Sequence, residues 1–139
     1  MKKKLQTLPS NSPEDIRNFF DASARDYKEQ HGDARRLFHY RLKIIHKILQ
    51  LQKTDLLLDV GCGTGQHLLA LAPYIQKGIG IDFSSKMIEI ARSSQKPAST
   101  PDNLIFQVDQ AQLLETVPNE TVDVVLCVGA FEHMPQKEQ

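Results

Sequence analysis

Residues 56–65 read LLLDVGCGTG: an apolar run, one acid, then glycine at 61, 63 and 65. Asp59 closes a segment suited to burial, and the turn behind it lets backbone come close to a ligand. Two further apolar runs also end in an acid, at Asp82 and Asp109. Three carboxylates at strand ends beside such a turn could accept from hydroxyls and pair with a cation. A diphosphate is a poor match. Dinucleotide turns run G-x-G-x-x-G, the third glycine letting helix and strand pack while the pyrophosphate meets a helix N-terminus. Gly61 and Gly63 fit that frame, but Gln66 stands at the third glycine, and Asp59 would repel phosphate. A sulfonium ion with an α-amino group answers the charge at Asp59. Asp82 is placed to accept from ribose hydroxyls, and Phe83 to pack against a base.

The elements that must position these residues follow from pattern. Ser12-Pro13-Glu14-Asp15 is a helix start: a capping serine, proline in the first turn and two acids at the positive end of the dipole. That helix is expected from about Pro13 to Glu29. Gly32-Asp33 breaks it, and a second follows to about Leu51, with Leu37, Tyr40, Ile44, Ile45, Ile48 and Leu49 at three- and four-residue spacing. Its other face carries Arg35, His39, Lys43 and Lys47, read as a solvated face. The period then changes. Strands are expected over 55–60, 78–83, 104–108 and 122–128, with helices over 66–74 (interrupted near Pro73), 84–92 and 110–116. Strands alternating with helices imply parallel pairing with right-handed crossovers, in which ligands bind at the carboxyl ends of the strands.

With those elements in place, D-x-G-C-G-T-G, then G-I-D-F-S-x-x-M, then V-D-Q resembles the class I methyltransferases that use S-adenosylmethionine, over about Thr54 to Glu132. Residues 20–27, FDASARDY, resemble the Y-D-x-x-A-x-x-Y element of small-molecule methyltransferases of the ubiquinone/menaquinone-biosynthesis type, where it caps the cofactor. The resemblance implies a Rossmann-like α/β fold, a parallel sheet with helices on both faces, preceded by N-terminal helices. It implies S-adenosylmethionine as cofactor and a small molecule as methyl acceptor. Gly61, Cys62, Gly63 and Gly65 would bring backbone against the methionine part, and Asp59 would face its amino end. Asp82 would hold the ribose diol, Phe83 and Met87 would line the adenine, and Asp109 would accept from the adenine amino group beside the Gln110 backbone. Val128 and Gly129 would lie near the departing methyl, and Tyr27 in a lid. Two positions depart from the pattern: Phe20 replaces a tyrosine, and Gln110 stands where a small residue is common.

The resemblance also implies a sheet of seven strands in the order 3-2-1-4-5-7-6, of which only about four are found here. The division expected is a tail with lid or cap helices over 1–53 and an incomplete cofactor-binding core over 54–139. The chain is read as C-terminally truncated. Its fourth strand would then be an open edge, liable to dimerisation or strand exchange. A cofactor-binding fragment or partner-dependent module without activity of its own is the alternative reading. A nicotinamide-dependent oxidoreductase is a weaker one, opposed by Gln66.

Beyond the glycine turn, Glu132-His133 could serve as a general base pair at the acceptor, histidine being the natural base near neutrality; a solvated loop pair is the bland reading. Arg36 or Arg41 could reach the cofactor carboxylate. Cys62 and Cys127 fit neither a disulfide framework nor metal-ligand spacing. Both are read as packing residues of a reduced, cytoplasmic protein, and His31, His39 and His46 show no metal pattern, so no metal is expected. With 17 basic and 17 acidic side chains the formal charge is zero, which gives nucleic acid or an acidic membrane no bulk attraction. No run is long enough for stable membrane insertion.

Overall fold

The computed structural model describes residues 12–25, 34–96 and 98–134. Four parallel strands form one sheet: β1 (Leu56–Val60), β2 (Lys77–Asp82), β3 (Leu104–Val108) and β4 (Val124–Leu126), in the order β3-β2-β1-β4. The class is α/β, as the alternating pattern predicts. β1 is central, so Asp59 faces Gly80 on one neighbour and Leu126 on the other.

Helix α1 (Pro13–Ser23) starts where its signals predict, the Ser12 hydroxyl accepting from the Asp15 N–H at 3.1 Å. Helix α2 (Ala34–Leu49) precedes β1. Helix α3 (Gln66–Leu71) runs into a 3-10 turn (Ala72–Tyr74) at Pro73, whose missing N–H cannot continue the ladder. Helix α4 (Ser85–Ser94) is capped by the Ser84 hydroxyl. Arg92 ties α4 to β3, its Nε and Nη2 both donating to the Phe106 carbonyl at 3.0 and 2.8 Å.

One face of the sheet carries Leu57, Phe106 and Leu126 under Ile45 of α2, Leu68 and Leu71 of α3, and Ile88 of α4. On the other face Leu58, Val60, Ile79 and Ile81 are met by Ala111, Val117, Val122 and Met134. Burying these aliphatic side chains contributes about 1.5–3 kcal/mol each. Among the described residues no helix is long and apolar enough to cross a membrane.

Three expectations are corrected. Residues 110–116 form turns, not a helix. The Asp109 carboxylate captures the Thr116 N–H (2.8 Å) and hydroxyl (2.6 Å), which bends the segment back, and Leu114 takes a positive φ of 52°. β4 spans three residues instead of seven. The Asp123 carboxylate accepts from the Leu56 N–H at 2.8 Å at its start, and chain beyond Leu126 turns away towards Gly129 at φ 69°. Cys127 is therefore an exposed residue after the strand. In α2 the packed side is Leu42, Ile45 and Leu49, while Leu37, Tyr40, Ile44 and Ile48 are exposed; periodicity found the helix but not which stripe meets the sheet.

Candidate functional site

Parallel strands bring their carboxyl ends to one rim, and the chain there must leave the sheet. At β1 it does so through Gly61, Gly63 and Gly65, at φ of 68°, 53° and 77°, values that cost about 1–2 kcal/mol for a residue with a Cβ. At Gly61 a Cβ would lie 2.3 Å from that of Ala130. At Gly63 a Cβ would meet nothing within 4 Å, so the turn presents bare backbone to open space.

That space is a cavity of about 290 Å³. Of the residues singled out from sequence, Asp59, Gly61, Cys62, Gly63, Asp82, Phe83, Met87, Asp109, Gln110, Val128, Gly129, Glu132 and His133 all line it. Gly65 does not. A Cβ there would sit 2.7 Å from the Phe106 ring, so its contact is with the core. Tyr27 lies outside the described residues. Arg41 lines the cavity, whereas Arg36 borders a separate surface groove with Arg35, His39 and Lys43.

The acids divide the work. Asp82 accepts from the Gly63 N–H through Oδ2 and the Ser84 N–H through Oδ1, both at 2.9 Å, and so fastens the glycine turn to the end of β2. Burial raises its pKa, the two N–H bonds oppose that, and nearby Asp21 adds to the rise; the net is upward. Asp109 accepts from the Gln110 N–H at 2.7 Å as well as from Thr116. Burial alone would raise it, but the hydrogen bonds from Thr116 and Gln110 together hold it below the ordinary carboxylate value. Asp109 is thus first a loop anchor.

Asp59 differs from both. It is 2% exposed, and its Oδ2 has no hydrogen-bond partner among the described residues. Burial, then the charge of Asp82, pushes its pKa up to about 8. A buried carboxyl of this kind is protonated at neutrality and ionises when a cation arrives beside it. The same forces push the Cys62 thiol well above its usual value, so it is no nucleophile.

Above the rim, α1 closes the site. Phe20 meets Phe83 edge to face at 5.9 Å and His133 at 5.1 Å, and Asp21 hydrogen-bonds the Ser84 hydroxyl. His133 Nε2 lies 3.5 Å from Glu132 Oε1, while its buried Nδ1 has no partner among the described residues. Two residues of the wall carried no signal in the sequence. His67, in the first turn of α3, packs against Phe38 at 5.2 Å, its Nε2 buried with no partner among the described residues. Burial, then Arg41, lowers its pKa. Arg17 of α1 also lines the cavity, with a buried Nε that has no partner among the described residues. Among the described residues no group of three or more His, Cys, Asp or Glu could hold a metal ion.

A family profile described as a methyltransferase domain matches residues 57–139. The chain is 32% identical over 92 residues to the uncharacterized methyltransferase YcgJ of Bacillus subtilis, covering 66% of this chain and 36% of that protein. The crystal structure of YcgJ superposes with a TM-score of 0.59 at 31% identity, over 64% of this chain and 37% of that one. Identity to a ubiquinone biosynthesis O-methyltransferase of Coxiella burnetii is 30% over 99 residues, 71% of this chain and 41% of that protein. A methyltransferase from Thiobacillus denitrificans, solved in complex with S-adenosyl-L-homocysteine, matches with a TM-score of 0.52 at 28% identity, over 66% of this chain and 36% of that one. The chain thus spans about a third of the length of the first curated relatives it matches. A profile covering more than half of the residues, and a rim of strand-end acids around a glycine turn, lead to one assignment: the chain belongs to the methyltransferase domain family.

Proposed function

We propose that the protein binds S-adenosylmethionine in this cavity and, as the intact protein, transfers its methyl group to a small-molecule acceptor. The observation that carries the reading is the buried Asp59 carboxyl with a free Oδ2 beside bare glycine backbone. The residues fit the group: an acid able to ionise beside an ammonium or sulfonium, open space at Gly63, and an aromatic ring at Phe83. When bound, the cofactor supplies an electrophilic methyl carbon.

The chain's own residues would do the rest. Asp59 pairs with the cationic end. Asp82, held by Gly63 and Ser84, turns its remaining lone pairs to the ribose. Phe83, Met87 and the backbone beside Asp109 and Gln110 enclose the base. Phe20 shields the site from water through its contacts with Phe83 and His133. His133, steadied by Glu132, takes the acceptor's proton, and alignment of acceptor and methyl supplies much of the rate. Calorimetric titration of the intact protein with S-adenosylmethionine and S-adenosylhomocysteine tests the reading; absence of binding at millimolar ligand would refute it.

One observation favours a second reading. β4 is the edge of the described sheet and Val125 is 59% exposed there, which suits a module completed by a partner strand. Light scattering during size-exclusion chromatography distinguishes the two, since a monomer with turnover removes this alternative.

A further inference from the structure

We infer that the acceptor is an apolar molecule bearing a carboxylate, and that Arg17 holds that carboxylate. This rests on the methyl-transfer reading and names the substrate class of the same cavity. The wall of the cavity is divided by charge. Its aspartates Asp59, Asp82 and Asp109 stand on the sheet rim and Glu132 in the turn after β4, whereas its guanidinium groups, Arg17 and Arg41, come from the helices above. The cofactor carries a single carboxylate. Arg41 acts electrostatically on His67, which directly follows the glycine turn, and so sits towards the methionine end. Arg17 is then left without an anionic partner among the described residues.

Its surroundings indicate what completes it. Arg17 Nε is buried with no hydrogen-bond partner among the described residues, and a buried donor left so destabilises the fold unless a ligand satisfies it. Arg17 shares the cavity-lining face of α1 with Ile16 and Phe20. Phe20 touches His133, the candidate base. An acceptor presented to His133 therefore lies against apolar Ile16 and Phe20, with a guanidinium within a helical turn. The planar fork of arginine matches a carboxylate with two parallel hydrogen bonds.

The test uses the intact protein saturated with S-adenosylhomocysteine, titrated calorimetrically with 2-naphthoate and with its neutral isostere 2-naphthamide. Wild type is expected to favour the naphthoate by about tenfold or more. Arg17→Gln should abolish that preference while leaving S-adenosylhomocysteine affinity unchanged. Equal binding of both probes by wild type overturns the proposal. So does an Arg17→Gln variant that loses S-adenosylhomocysteine affinity and keeps the naphthoate preference, which would give Arg17 to the cofactor instead. Failure of wild type to bind S-adenosylhomocysteine refutes the methyl-transfer reading separately, and the two probes titrated without it still report on Arg17. Should Arg17→Gln not fold, Arg17→Lys carries the test. Loss of the fork should weaken naphthoate severalfold and leave naphthamide unchanged, and equal weakening of both overturns the proposal.

Discussion

Removing the ionisable group at the centre of the rim, by Asp59→Asn, isolates the contribution of one buried proton. With a pKa of about 8, Asp59 carries its proton in the free protein at neutrality and must lose it to pair with a cationic ligand. The cost of that loss is about 1.4 kcal/mol at pH 7 and about 2.7 kcal/mol at pH 6, and it vanishes above the pKa. The dissociation constant of S-adenosylmethionine should therefore fall about tenfold between pH 6 and pH 7, about fivefold more by pH 8, and level off above that. Binding at pH 7 should release close to one proton, which titrations in phosphate and in Tris resolve through the difference in buffer ionisation heat. In Asp59→Asn the amide cannot ionise, so affinity at pH 8 should drop by about tenfold or more and the acid limb should disappear. A wild-type affinity that is flat from pH 6 to 8, or an equal slope in Asp59→Asn, would refute the argument.

Four other outcomes are expected. Without ligand, Asp59 keeps its proton in the folded state up to about pH 8 but loses it near 4 when unfolded. Stability should thus fall as pH rises through that window, and Asp59→Asn should raise the melting temperature at pH 8 more than at pH 5. Gly63→Ala, at φ 53° with open space before it, should cost about 1–2 kcal/mol of stability but abolish cofactor binding by calorimetry. Thr116→Val removes the 2.6 Å bond to Asp109. It should destabilise by about 1 kcal/mol and speed amide exchange at Leu113 and Leu114. Because that bond helps depress the Asp109 pKa, its stabilisation is present above the ordinary carboxylate value and is lost as pH falls through the folded value. Iodoacetamide should label exposed Cys127 in the native protein and buried Cys62 only on unfolding, as mass spectrometry of the peptides would read.

Much of this molecule is written locally. Period and punctuation sufficed for Ser12 capping α1, for Pro73 ending α3, for Ser84 capping α4, and for an acid at the end of each of β1, β2 and β3. Each of these depends on residues within a turn of one another. Parallel pairing then carries the strand-end acids to one rim. Tertiary structure decided the rest, because it depends on groups distant in sequence. Asp59 and Asp82 both end apolar runs, yet among the described residues Asp82 finds N–H partners at Ser84 and, across the sheet, at Gly63, while Asp59 Oδ2 finds none. Asp109 reads as a third ligand-facing acid, but Thr116 folds back onto it and turns a predicted helix into a loop. Arg17 and His67 are unremarkable in sequence and acquire meaning only where α1 and α3 close the same cavity and bury their nitrogens without partners. Burial and charge are properties of a packed assembly, so no window of residues carries them.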